Sequence, residues 1–232
     1  MAVEALGHNP SAEEQEMPVY TITDDPYYDE AAGGNDEVNE ILDGDFKEAF
    51  PIGIDFDPGV RAAFYDDGMI IHQDARYQGL PVDMSGVPKK IRWGGRKRAL
   101  GDLQMTASHF LVSLKLRDVI ERLEPGVHQF QSTEIIWKKD NSHVADFFWF
   151  NPCNRIDAID KDHSTHPFKE KAGKWDFVDG GKYVVSLAKI AGKHIWVDSR
   201  TYSRGVWVSE GFYKAAEEAG IKGIKFSRQK VI

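Results

Sequence analysis

The sequence is poor in the features that would assign it a chemistry. A single cysteine, Cys153, stands among 232 residues, so no disulfide can close within the chain and a reducing compartment is expected. No apolar run approaches the roughly 18 to 20 residues a helix needs to cross a bilayer. The opening MAVEALGHNPSAEEQE has neither the basic nor the apolar region of an export signal, which makes a cytoplasmic protein the expectation. Also missing are GxSxG, a Walker loop, GxGxxG and HExxH, which removes the nucleophile elbow, the phosphate cradles and the zincin helix that a sequence can reveal. These absences move the weight from an enzyme towards a binding protein with no cofactor and no catalytic residue.

Positive charge is scarce at the front. Residues 1–50 hold 14 acids and one base, Lys47, whereas the remainder holds 23 acids and 28 bases, so the net charge of −8 belongs to the front alone. Residues 1–17 have no apolar periodicity and are expected to be disordered. Residues 18–50 form an acidic segment, and 51–232 are expected to make one domain whose clearer half is 105–232. Within the acidic segment VYTIT (19–23) has strand composition, and Val38, Ile41 and Leu42 fall at helical spacing after Gly33-Gly34. KKIRWGGRKR (89–98) concentrates six bases around Trp93. Such a run can track a phosphate backbone. It can equally be a solvated loop or a surface onto which the acidic arm folds.

Order becomes legible after residue 110. Ser113 caps an expected helix with Leu116, Val119, Ile120 and Leu123 on one face, and Pro125-Gly126 stops it. HQFQSTEIIW and VADFFWF read as a hairpin across KKDNS, and KYVVSLAKI with KHIWVD as a second hairpin across Ala191-Gly192. Ser209 then caps a helix carrying Phe212, Ala215, Ala216 and Ala219, stopped by Gly220, before the strand GIKFSRQKV. At an offset of 96 the two helical units share Val112/Val208, Ser113/Ser209, Glu121/Glu217 and Phe130/Phe226. The expected fold is α+β: two or three helices on a mostly antiparallel sheet, with a strand–helix–strand unit used twice.

Two local clusters could carry chemistry. DAIDKDHSTH places Asp157, Asp160, Asp162, His163 and His166 within ten residues, the ligand types of a divalent ion, though without a recognised spacing. A metal-assisted hydrolase built on them is the alternative to a binding protein; a polar connector is the plainer reading. Cys153 could be activated by a histidine, but buried inertness is the commoner fate of a lone cysteine. The loop VDSRTYSRG (197–205) offers Arg200, Tyr202 and Arg204, an interface composition, with pairing of Asp198 to Arg200 as the internal alternative.

FLVSLKLRDVIERLEPGVHQFQSTEIIW, then FFWFNPCNRIDAID, KIAGKHIWVDSR and VWVSEGFYKAAEEAGIKGIKF, resemble in order and spacing the eleventh immunity-protein family of bacterial polymorphic toxin systems, over about residues 105–230. The resemblance implies a non-catalytic cytoplasmic protein that binds and neutralises a cognate toxin domain, by occluding or locking its active site. Its matching positions are strand, cap and turn residues, so no catalytic residue carries over. Toxins that act on nucleic acid present basic clefts. The acidic arm is therefore either a plug, with Asp24, Asp25, Asp29 and Glu30 supplying charge and Tyr27 and Tyr28 contact area, or a solvated linker. No membrane, metal or nucleic-acid partner is expected.

Overall fold

Two six-stranded sheets frame the molecule. The computed structural model describes residues 17–25, 40–46, 51–56, 59, 62–72, 77–94, 100–106, 108–201 and 205–232. In chain order the elements are β1 (Val19–Asp24), β2 (Glu40–Ile41), β3 (Ala62–Phe64), β4 (Ile70–His72), β5 (Lys90–Trp93), β6 (Leu103–Thr106), β7 (His109–Ser113), α1 (Leu114–Leu123), β8 (Gln129–Trp137), β9 (His143–Asn151), β10 (Arg155–Ile156), β11 (Phe168–Lys169), β12 (Lys174–Trp175), β13 (Val184–Val185), α2 (Leu187–Ile190), β14 (Ile195–Asp198), β15 (Val206–Ser209), α3 (Glu210–Glu218) and β16 (Ile224–Val231). One sheet runs β10-β14-β15-β1-β16-β13 and the other β2-β5-β8-β9-β7-β6, with β3-β4 and β11-β12 as separate two-stranded ribbons. Among the described residues only β10/β14, β13/β16 and β5/β8 pair in parallel. The α+β reading holds.

Both expected helices form for the expected reasons. The Ser113 hydroxyl accepts the Leu116 N–H and Ser209 accepts that of Phe212, each satisfying an otherwise orphaned donor of a first turn. Each helix then buries one stripe: Leu116, Val119 and Ile120 in α1, and Phe212, Ala215 and Ala216 in α3. Gly220 adopts φ +63°, the left-handed turn that stops α3.

The repeated unit is present in the topology. β9 lies antiparallel between β7 and β8, so β7-α1-β8 is a crossover between parallel strands split by a third. β1 lies in the same way between β15 and β16, making β15-α3-β16 the second copy. The likeness extends outwards: the antiparallel neighbours β6 and β14 precede β7 and β15, and the parallel neighbours β5 and β13 flank β8 and β16.

It also reaches single atoms. The Ser113 N–H donates to Asp102 O and the Ser209 N–H to His194 O, at 2.8 and 2.9 Å. The capping hydroxyls meet Asp102 Oδ1 at 2.6 Å and His194 Nδ1 at 2.8 Å.

The copies grip each other reciprocally. The Lys222 N–H, just after α3, donates to Asp102 Oδ2 at 2.7 Å at the start of the β6-β7 hairpin. Glu124, the C-cap of α1, accepts the N–H groups of His194 and Ile195 at the start of β14. Both contacts join a helix end to the start of the other copy's hairpin, with the carboxylate on the hairpin in one and at the helix end in the other, so the pairing of elements is isologous in outline. Between the copies lies the central apolar cluster, to which corresponding positions contribute: Leu103 and Ile195, Phe110 and Val206, Val112 and Val208, Leu116 and Phe212. Alternate residues of the same strands face outwards into two further clusters, Leu111 with Phe147 and Trp149 on one sheet, Trp207 with Val19 and Trp196 on the other.

Two expectations fail. The hairpin across Ala191-Gly192 does not form, because residues 187–190 make the short helix α2 while β13 pairs with β16 and β14 with β15. Ala191 and Gly192, at φ +50° and +77°, end that helix rather than turning a hairpin. Ile41 lies in strand β2 instead of a helix, opposite Ile91, so partnership with a strand 50 residues away overrides local spacing. Val38 lies outside the described residues. Among the described residues no helix is long and apolar enough to cross a membrane.

Candidate interaction surface

The clusters that looked chemical are dismantled by the fold. Asp160 uses Oδ1 to accept the Asp162 and His163 N–H groups, both at 3.0 Å, and pairs with His163 Nδ1 at 2.8 Å, a self-contained turn. That histidine contact and the turn hydrogen bonds hold the Asp160 carboxyl below its ordinary range. His166 is instead buried, its ring 4.2 Å from that of Tyr183, and its Nδ1 accepts the Val178 N–H. Asp157 turns to Arg200 Nε at 3.3 Å. Among the described residues no three His, Cys, Asp or Glu gather as a metal site.

Cys153 sits in a network of a different purpose. Its N–H donates to His128 Nδ1 at 3.0 Å, which leaves the ring proton on Nε2 to face Glu124 Oε2 at 2.8 Å. Asn154 donates to Glu124 Oε1 at 3.0 Å. The thiol lies near Asn151 and Gln129 rather than the histidine, and burial pushes it up to about 11, so at neutral pH it stays protonated and poorly nucleophilic. Glu124 is what the network serves: burial opposes its charge, but the His128 contact and the His194 and Ile195 N–H groups outweigh that and hold the carboxyl below its ordinary value.

The acidic segment is anchored at both ends. At its start, β1 is interior to a sheet, Asp24 Oδ2 accepts the Met105 N–H at 3.3 Å, and the Asp25 N–H donates to Gly223 O at 3.0 Å. Burial raises the Asp24 carboxyl above its ordinary value. At its end, β2 pairs with β5 in the basic stretch: Glu40 meets Arg92 at 2.8 Å, and Asp43 Oδ1 accepts the Lys89 and Lys90 N–H groups at 2.9 Å. Lys90 is further paired with Glu134 at 2.8 Å. The end of the acidic segment, Glu40 to Asp43, thus lies against the described half of the basic patch. Tyr27, Tyr28, Asp29 and Glu30, and the bases Arg96, Lys97 and Arg98, lie outside the described residues.

The loop after β14 meets a ribbon that the sequence reading did not single out. Asp198 is fully buried and accepts N–H groups from Ala158, Ile159 and Arg200, tying β10 and the loop together. Burial nevertheless dominates and pushes its carboxyl up to about 7, with Asp157 nearby adding to the rise. The Arg200 guanidinium pairs with Asp157, so the internal ion pair forms with a different carboxylate from the one expected. Tyr202 and Arg204 lie outside the described residues.

Close by, β3 and β4 form a ribbon through the turn Asp66-Asp67-Gly68. Its inner face buries Met69 and Ile71, and Arg155 clamps its turn through Asp67 at 2.7 Å while lying over the Tyr65 ring. Its outer face presents Phe64, 79% exposed, opposite Ile70, 46% exposed. AAFYDDGMIIH carries the signal for this ribbon, two apolar runs about an Asp-Gly turn.

Compared with known families, the chain matches the model of the immunity protein family Imm11 over residues 8–231. The match therefore takes in the acidic segment and residues 51–104 as well as the half that suggested it. No curated protein matches the chain.

Proposed function

We propose, on the premise that the chain belongs to the immunity protein family Imm11, that it binds one cognate toxin domain directly and keeps it inactive by covering or locking its active site. The observation that carries this reading is the extent of the family match, residues 8–231, nearly the whole chain. The protein works as a plug in the cytoplasm of the cell that makes it and catalyses no reaction. Its charge distribution supports a basic target: between the anchors at Asp25 and Glu40 the sequence carries Asp29, Glu30, Asp36 and Glu37 and no base, a negative segment suited to a cleft that handles nucleic acid or a phosphate-bearing cofactor.

The test is direct. The chain is expressed with the toxic domain encoded immediately upstream of its gene, and co-purification and protection of the host from that domain are measured. Stable association with loss of toxicity is the expected result; a toxin that kills regardless and never co-purifies overturns the reading. The arm is tested separately by neutralising Asp29, Glu30, Asp36 and Glu37 to their amides. The expected outcome is slower association and a flatter dependence of the on-rate on salt. Unchanged kinetics at low salt removes the arm from the interface.

A further inference from the structure

Across the sheets, β5-β8-β9-β7-β6 and β13-β16-β1-β15-β14 correspond strand for strand. The correspondence holds to the residue. With Ser113 laid on Ser209 and Phe130 on Phe226, the pairings of β9 fall on those of β1 without a shift: Phe150, opposite Phe110 and Phe130, takes the place of Ile22, opposite Val206 and Phe226. Phe147 likewise takes the place of Val19, opposite the two capping serines. The outer strands agree as well, with Ile91 on Ile135 matching Val185 on Val231, and Leu103 on Val112 matching Ile195 on Val208. Each register could slip by two residues while keeping every side chain on its face, so their joint coincidence marks one module built twice.

The side chains repeat the match. Phe150 and Ile22 both enter the central cluster, while Phe147 and Val19 face the two outer ones. On α1 the Arg117 guanidinium lies over the Phe148 ring at 4.4 Å, and at the same position of α3 the Tyr213 ring stacks on Tyr20 at 4.8 Å. β1 thus does for the second copy what β9 does for the first. Their places in the chain differ: β9 follows β8 after the turn at 138–142, whereas β1 precedes the whole of the first copy. Where the matching turn would join β16 to β1, Gln229 lies directly opposite Val19 and the two strands are held by their ladder alone.

We infer that the chain is a circularly permuted tandem repeat, with β1 the closing strand of the second copy carried to the front, and that this position makes β1 the strand by which the second sheet opens while the first stays closed. β9 is tied at both ends, to β8 through 138–142 and to β10 through 152–154, so it cannot leave its sheet alone. β1 is tied to a neighbouring element only through the segment leading to β2, and its release displaces no other strand from the first sheet. Such an opening has a free energy of its own, below that of global unfolding, and is read by amide exchange. The inference goes beyond the immunity reading and does not rest on it.

The test compares three forms of the full sequence: the parent, a ring in which Ile232 is joined to Met1, and a permutant in which that ring is opened between Asp140 and Asn141. Residues 1–16 bridge the joint in both, ample chain for strands whose Gln229 and Val19 already lie opposite each other. Native-state hydrogen exchange is followed at Tyr20 and Ile22 of β1 and at Phe148 and Phe150 of β9. In the parent the β1 amides are expected to exchange at least ~10-fold faster than the β9 amides. Closing the ring is expected to slow the β1 amides towards the β9 values. Opening it at Asp140 is expected to make the β9 amides the faster pair, with circular dichroism and cooperative unfolding retained. Equal exchange in the parent, or β1 amides as fast in the ring as in the parent, overturns the inference. A permutant that does not unfold cooperatively, or in which β1 remains the faster strand, shows that the copies are not interchangeable and overturns it as well.

Discussion

Two serines illustrate how single side chains set this fold. Ser113 and Ser209 each cap a helix and, through the same hydroxyl, hold the residue that opens the preceding hairpin, Asp102 in one copy and His194 in the other. Replacing either by alanine removes the cap and strands a neighbour. Ser113→Ala and Ser209→Ala are each expected to cost about 1 to 2 kcal/mol, read as a lower midpoint in urea unfolding with an unchanged slope. Asp198 gives a pH signature of its own. Its folded carboxyl titrates near 7, above the ordinary 3.8, so the folded state holds an extra proton between those values. Its stabilising contribution is full below about pH 4 and is lost as the pH rises through 7. In Asp198→Asn, unfolding free energy measured from pH 4 to 7 should lose that downward trend; an unaltered profile would show that the three N–H donors keep the carboxylate ionised after all.

At the scale of elements, what the sequence revealed and what it hid divide by the range of the cause. α1 and α3 were legible because cap, stripe and stop lie within a dozen residues, and β8-β9 because its turn is local. The supposed hairpin at 182–198 was misread because Ala191 and Gly192, with positive φ, end a helix by the same backbone conformation that turns a hairpin. Ile41 was misread because its partner, Ile91, is remote. Surface residues were hidden for the same reason: nothing near Arg200 in sequence announces Asp157 as its partner, and the exposure of Phe64 is decided by what Met69 and Ile71 bury. β1 is the element whose removal tests this most sharply. It hydrogen-bonds to both β15 and β16, so a chain beginning at Asp25 leaves two interior strand edges open and Trp207 and Val208 without cover. That truncation is expected to abolish cooperative unfolding in a calorimeter, which is why the arm must be tested by charge neutralisation rather than by deletion.

For the molecule as a whole, stability depends on two like halves holding each other at reciprocal points. Glu124 is the most buried of these points, joining the end of α1 to the start of β14 with His128 and Asn154 completing its shell. Glu124→Ala leaves two buried N–H groups and an imidazole unanswered and is expected to cost about 3 kcal/mol or more by chemical denaturation. Because its folded carboxyl lies below the ordinary 4.5, the Glu124 contribution is present above that value and is lost as the pH falls further. Asp198 and Glu124 thus act on opposite sides of pH 4 to 5, and the parent protein should be most stable in mildly acidic solution.

The insertion of β1 between β15 and β16 carries a consequence for the chain during its manufacture. Tyr20 emerges from the ribosome 190 residues ahead of Glu210, whose carboxylate it meets at 2.8 Å, so β1 waits for β15 and β16 until those later residues are translated. A message that stops early yields a polypeptide whose second sheet has no middle, and closure of so long a loop comes late and slowly. The cell acquires a working protector only from a finished product, and half-made copies are left to its proteases.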